Sequence, residues 1–193
     1  MKVFLSGEGP TELGDWSKEL PYRGSPPEIG VLEALLRKAW SQDYAVVEAC
    51  LWKRIRKYKA ENHMHPETRN VLGLALQAEE AGCDALVFVR DQDGDEERQE
   101  DIEEGIRLAR SKGIEVDVIG GVAVQEIEAW ILAILGERRS EQHRDPKQIL
   151  EERHGIAERE AMVEIVASRG LDGLAEDADS LRAWLAMAIR PSG

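Results

Sequence analysis

A chain of 193 residues carrying a net charge of −13 suits one domain, or one domain with a helical appendage, and excludes a globally basic nucleic-acid binder while leaving room for a local basic patch. Its apolar runs fall short of the roughly 20 residues of a membrane span, and the apolar part of its start is too brief for a secretory signal. Cys50 and Cys83 form neither a CxxC pair nor a Cys/His cluster, and both adjoin apolar runs, so buried free thiols in a reducing cytoplasm are expected.

Val3, Phe4 and Leu5 make a first strand. It breaks into Ser6-Gly7-Glu8-Gly9-Pro10-Thr11-Glu12, where two glycines free the backbone for a turn and Pro10 stops any ladder. Glu8 and Glu12 therefore sit on a loop leaving a strand end. By spacing alone, a solvated acidic turn accounts for them as well as chemistry does. Residues 15–27 lack a period and read as a long loop. A helix follows over 28–40, with Val31, Leu32, Leu35, Leu36 and Ala39 on one apolar face, and then a second strand over 44–51.

Between Trp52 and Arg69 there are six Lys/Arg against Glu61 and Glu67, so the segment carries +6 − 2 = +4 and the remainder −13 − 4 = −17. Lys53, Arg54, Arg56 and Lys57, interleaved with Trp52 and Tyr58, suit contact with a phosphate backbone and aromatic stacking. An ordinary solvated face paired with the acidic excess is the alternative. His63 and His65 are candidate metal ligands in a loop without an evident partner.

Pro66 opens a helix to about residue 81, stopped by Gly82. The run 84–90 then reads as a central strand: it shows no polar alternation, as a strand buried on both faces requires. It ends in Asp91-Gln92-Asp93-Gly94-Asp95. A side-chain period of two lets Asp91 and Asp93 point to one side. Two carboxylates within about 4 Å repel by roughly 4 kcal/mol at an effective dielectric near 20, so a cation or a shared proton is needed. Asp95 caps a helix over 96–112, and residues 115–120 form a fourth strand that turns at Gly120-Gly121. An apolar helix begins near Ala123 with Ile127, Trp130, Ile131, Ile134 and Leu135 as its core face. On it Glu126 and Glu128 stand about 200° apart, so only one can face a given site. From Arg138 onward three helices, near 145–153, 157–168 and 175–189, form a cap without evident chemistry.

Three acidic stations, Glu8-Gly9-Pro10-Thr11-Glu12, Asp91-Gln92-Asp93-Gly94-Asp95 and Glu126-Ile127-Glu128-Ala129-Trp130, together resemble the TOPRIM fold. More narrowly, they resemble an uncharacterised TOPRIM-like family related to the nuclease domain of overcoming-lysogenization-defect (OLD) proteins. The resemblance covers about residues 1–135. It implies an α/β fold with a mainly parallel, Rossmann-like sheet of about four strands and helices on both faces. Residues 1–136 would be the metal-binding domain, and 137–193 a helical cap packed on it. It further implies Mg²⁺ or Mn²⁺ held by Glu8, Glu12, Asp91, Asp93 and Glu128, with Glu8, Asp91 and Asp93 as the catalytic acids. Ile134 departs from the pattern, standing where a further acid is expected, and this leaves a second metal site incomplete.

The function so implied is metal-dependent phosphodiester hydrolysis: a nuclease acting on DNA rather than RNA, in defence against foreign DNA. Lys53, Arg54, Arg56 and Lys57 would hold the strand. Two alternatives stand beside it: a non-catalytic module binding nucleic acid or a partner protein, and a hydrolase of a small phosphorylated metabolite. No G-x-x-x-x-G-K-[ST] loop occurs, so an ATPase would be a separately encoded partner. A homodimer is the other assembly expected.

Overall fold

The computed structural model describes residues 1–56, 58 and 64–189. Four strands, β1 (Lys2–Gly7), β2 (Ala45–Leu51), β3 (Ala85–Asp91) and β4 (Asp117–Ala123), form one parallel sheet in the order β2-β1-β3-β4. The chain visits α1 (Pro10–Leu13) and α2 (Val31–Ala39) between β1 and β2, then α3 (Pro66–Glu80) before β3 and α4 (Arg98–Ser111) before β4. After β4 come α5 (Ile127–Leu135), α6 (Pro146–His154), α7 (Arg159–Ser168) and α8 (Asp179–Ala188). Among the described residues no helix is long and apolar enough to cross a membrane.

The expected parallel sheet with helices on both faces is present. Val3, Leu5, Val87, Val89 and Ile119 face one layer, built from α2, α5 and the three C-terminal helices. Phe4, Leu86, Phe88, Val118 and Val122 face the other, built from α3 and α4. The layering follows from handedness. The β1-to-β2 crossover runs one way along the sheet and the next two run the other way, so right-handed connections put α2 on the face opposite α3 and α4. The direction reverses between β1 and β3. A crevice therefore opens beyond their carboxyl ends, the place where open α/β sheets bind ligands.

Burial separates the strands that composition made alike. The interior strand β3 is buried from Ala85 to Val89, whereas β2, also mostly apolar, is an edge strand with Val47 42% exposed. Cys83 is buried as expected and Cys50 half-buried; both thiols are free.

Several element boundaries differ from the sequence expectation: α4 begins at Arg98 with Glu97, not Asp95, at its N-cap, Asp95 accepting Glu97 N–H within the preceding turn (3.2 Å), and α8 begins at Asp179, not at residue 175. The second helix begins at Val31, not at residue 28, because Glu28 is stitched to the preceding loop. Its N–H donates to Asp15 Oδ2 (3.2 Å) and its carbonyl accepts from Asp15 N (2.8 Å). Asp15, whose carboxylate also takes Gly24 N–H (3.1 Å) and pairs with Lys18, thereby organises the long loop.

The fourth strand is the larger correction. Gly120 and Gly121 do not turn; they pair with Phe88 and Val89 inside β4, which runs on to Ala123. Gly120 answers to packing, since a Cβ there would lie 2.0 Å from the Phe88 ring. Gly120→Ala is accordingly expected to cost about 2–3 kcal/mol by forcing that ring aside. A urea midpoint unchanged from wild type would mean that the ring has room to move. The three extra strand residues also displace the following helix, so that α5 begins at Ile127 and Glu126 lies outside it in extended conformation.

The C-terminal helices complete the core with Leu150, Met162, Val166, Leu181, Trp184 and Leu185. They also brace the corner between β4 and α5. Trp184 Nε1 donates to Phe88 O (3.1 Å), and Ser180 Oγ accepts from Trp130 Nε1 (2.7 Å) and Val124 N (3.3 Å) while donating to Glu141 Oε1 (2.7 Å).

Candidate functional site

The three acidic stations meet at the carboxyl edge of the sheet. Glu8 and Glu12 follow β1, Asp91 ends β3, and Glu128 lies in the first turn of α5. Parallel register makes this meeting possible: Ser6 pairs with Phe88, and Asp91 with Ala123, so the strands expire side by side. Asp91 then ties the third station down directly, accepting a hydrogen bond from Ile127 N through Oδ1 (3.0 Å).

The acids divide into two groups with different electrostatics. The inner group is Glu12, Asp91 and Glu128. Glu12 and Glu128 are both buried, at 5% and 7% exposure. Burial, the largest cause, pushes the Asp91 carboxyl up to about 8, and the charges of Glu12, Glu128 and Asp93 push in the same direction. Glu12 is also raised, again first by burial, against the pull of its bond from Gly9 N–H to Oε2 (2.6 Å). Glu128 is raised by burial and then by Glu126 and Glu12. None of the three makes an ion pair among the described residues. Glu126, half-exposed, is raised by burial and by Asp145.

The outer group is Glu8 and Asp93, and it is saturated with arginine. Asp93 does not share a strand face with Asp91. Its backbone is left-handed (φ 51°), and its Oδ2 turns to Arg98 Nη1 (2.8 Å) and Arg90 Nη1 (3.2 Å). Glu8 Oε1 pairs with Arg90 Nη1 and accepts Asp91 N–H (3.0 Å). Arg98 Nη1 also reaches Asp91 O, which pins the turn. Glu67, from α3, stands behind both arginines, with Oε1 at 3.4 Å from Arg90 Nε and from Arg98 Nε. Burial and the neighbouring Arg98 charge together lower the proton affinity of Arg90.

Arg90, Arg98 and Glu67 do not stand out in the sequence. The one signal it carries for them is Arg90 itself, a charge closing a run of apolar strand residues.

The basic segment joins this site through one residue. Trp52 is buried, so it offers no stacking face to a base as the sequence suggested. Its ring packs 5.5 Å from Phe88 and 5.8 Å from the Arg90 guanidinium carbon, and its Nε1 donates to Glu67 Oε2 (3.1 Å). Lys53, Arg54 and Arg56 are exposed; Arg54 pairs with Glu19 (3.2 Å) and Arg56 with Glu80 (3.0 Å). Lys57 and His63 lie outside the described residues. His65 Nδ1 is 2.6 Å from Asp101 Oδ2, apart from the acid cluster.

The donor chemistry suits a hard divalent cation, because every candidate ligand is a carboxylate oxygen. A positive group, the Arg90 guanidinium, already sits between Glu8 and Asp93. Yet among the described residues no group of three or more His, Cys, Asp or Glu side chains is arranged to hold a metal ion as it stands. The inner carboxyls are close enough to repel, but the outer pair is spent on Arg90. Comparison of the chain with family models, with curated proteins and with solved structures yields no match.

Proposed function

We propose that this protein is a TOPRIM-like, cytoplasmic, Mg²⁺- or Mn²⁺-dependent nuclease. One observation carries the reading: Glu12, Asp91 and Glu128, carried by three elements, all have raised proton affinity, first through burial, with the charges of Glu12 and Glu128 adding at Asp91, and among the described residues no arginine or lysine is paired with them. Strongly perturbed carboxyls in a crevice mark functional sites more often than ordinary surface. Asp91, Glu12 and Glu128 would hold the ion, with Glu8 and Asp93 joining once released from Arg90. A bound ion of this kind polarises a phosphate oxygen and lowers the pKa of a water. Where it stays outside the ion's shell, Glu8, half-exposed at the mouth, would take the proton of the attacking water as that water's oxygen bonds to phosphorus, the P–O bond to the leaving sugar oxygen breaking and that oxygen taking a proton from solvent. Lys53, Arg54 and Arg56 hold the phosphate backbone, DNA rather than RNA. Defence against foreign DNA, with a separately encoded ATPase, is the setting this reading suggests. The test is a screen for cleavage of single-stranded DNA, double-stranded DNA and RNA with Mg²⁺ or Mn²⁺, with the Asp91→Asn variant as control.

The saturation of Glu8 and Asp93 by arginine favours a second reading, a non-catalytic module that binds nucleic acid or a partner protein. Metal binding without cleavage of any of these substrates would select it.

The basic segment gives a separate expectation. Charge reversal at Lys53, Arg54 and Arg56 should weaken DNA binding and flatten its dependence on salt, by a slope of about 0.7 to 0.9 for each phosphate no longer neutralised. Fluorescence anisotropy between low and moderate salt measures this. Identical slopes in variant and wild type would return the segment to ordinary surface.

A further inference from the structure

Arg90 is an unusual neighbour for a cation site. It ends the apolar run of a central strand and is 13% exposed at its side chain. A single guanidinium there contacts Glu8 Oε1 and Asp93 Oδ2 through Nη1, and stands 3.4 Å from Glu67 Oε1 through Nε. The ring of Trp52 covers it at 5.8 Å. Arg98 binds Asp93 from the other side, and its Nε is buried without a hydrogen-bond partner. Positive charge is therefore packed tightly against the outer acids, while among the described residues no arginine or lysine is ion-paired with the inner acids. Glu8 is also bonded to Asp91 N–H, so the atom that Arg90 holds lies one peptide group from the central carboxyl.

We propose that Arg90 is the resident counter-cation of this cluster, holding Glu8 and Asp93 in the metal-free protein and yielding them to a divalent ion. The inference rests on the metal-site reading above, and it accounts for the pairing of Glu8 and Asp93 through one guanidinium nitrogen. Its consequence runs against intuition. Removing an ordinary scaffolding residue loosens a site and weakens binding, whereas removing a competitor for the ligands tightens it. The displaced guanidinium remains at the mouth, where phosphate oxygens would meet it; a planar fork suits that role better than a lysine.

The experiment is a Mn²⁺ titration of wild type, Arg90→Gln and Arg90→Lys at one pH and ionic strength. Binding is followed by calorimetry and by the electron paramagnetic resonance signal of free Mn²⁺, with near-ultraviolet circular dichroism to establish folding. Arg90→Gln should bind about tenfold more tightly, the scale of one charge-assisted hydrogen bond removed from the competing state. Arg90→Lys should fall between that variant and wild type, because an ammonium keeps the charge but lacks the planar fork that reaches Glu8 and Asp93 through one nitrogen and Glu67 through another. Affinity unchanged or weakened in Arg90→Gln overturns the proposal and leaves the metal site intact. Arg90→Lys equal to wild type also overturns it, since a distant effect of charge then suffices. If Arg90→Gln does not fold, Arg90→Lys decides alone: tighter binding supports the proposal, and equal or weaker binding overturns it. Absence of saturable binding in all three proteins removes both the proposal and the metal-site reading.

Discussion

Millimolar Mg²⁺ or Mn²⁺ is expected to raise the melting temperature of the metal-free protein by roughly 5–10 °C. A ligand at 100 times its dissociation constant adds about 2.7 kcal/mol, and each kcal/mol moves a domain of this size by about 2–4 °C. Asp91→Asn should abolish most of that rise, because Asp91 stands at the centre of the inner group, coupled to Glu12 and Glu128. The same substitution should leave the metal-free protein at least as stable at pH 8. An asparagine keeps an oxygen that can accept the Ile127 N–H bond, and it removes a buried charge and its repulsion. Asp93→Asn is the contrasting variant. Asp93 neutralises Arg90 and Arg98, so its loss should destabilise the metal-free protein. Differential scanning calorimetry with and without chelator reads all of these effects. A wild-type melting curve indifferent to both metals would remove the metal site, and the nuclease reading with it.

In chelator, stability is expected to fall as pH rises from about 5 to 8. The sign follows from proton counting. Asp91 titrates near 3.8 in the unfolded chain and at about 8 in the fold, with Glu12 and Glu128 shifted in the same direction. Between those values the folded state holds protons that the unfolded state has released, so each step up in pH favours unfolding. The loss should level off above about pH 8, and its size should be on the order of a few kcal/mol. Asp15 acts elsewhere. Its carboxyl, held down to about 2 by Lys18 and by the Glu28 and Gly24 N–H groups, adds stability present above 3.8 that is lost as pH falls through about 2. Urea midpoints at pH 5, 6.5 and 8 test the slope. Saturating Mn²⁺ should flatten it, since a bound cation takes the place of the proton, and Asp91→Asn should flatten it without metal. Stability that rises steadily from pH 5 to 8 in chelator would contradict the buried, unpaired inner group.

Mutual burial of Glu12, Asp91 and Glu128 has a cost that the rest of the fold must meet. The brace from α8 to the β4–α5 corner is one means. Ser180 holds Val124 N and the Trp130 indole, and the Trp184 ring packs on Trp130, so the C-terminal helices, which carry no acid of the inner group, help to set the position of Glu128. Their place in the sequence, after the resemblance ends, concealed this role.

Local sequence determined the elements and the order of the acidic stations. Unbroken apolar runs at Val3–Leu5 and Ala85–Val89 suit strands covered on both faces, and both are buried throughout. Glycine and proline after β1, and Asp-x-Asp-Gly after β3, put carboxylates on strand ends. Tertiary structure decided what period and composition do not encode. The apolar β2 became an edge, and Gly120-Gly121 lies within a strand, where Gly120 leaves room for the Phe88 ring of the neighbouring strand. Asp91 and Asp93, equivalent by alternation, were parted when a left-handed residue at Asp93 turned its carboxylate to Arg98, seven residues beyond Asp91. The division into an unpaired inner group and an arginine-held outer pair depends on Arg90, Glu67 and Trp52, from three separate segments. No window of sequence contains them together, and charge interactions act through the space that only the folded chain defines.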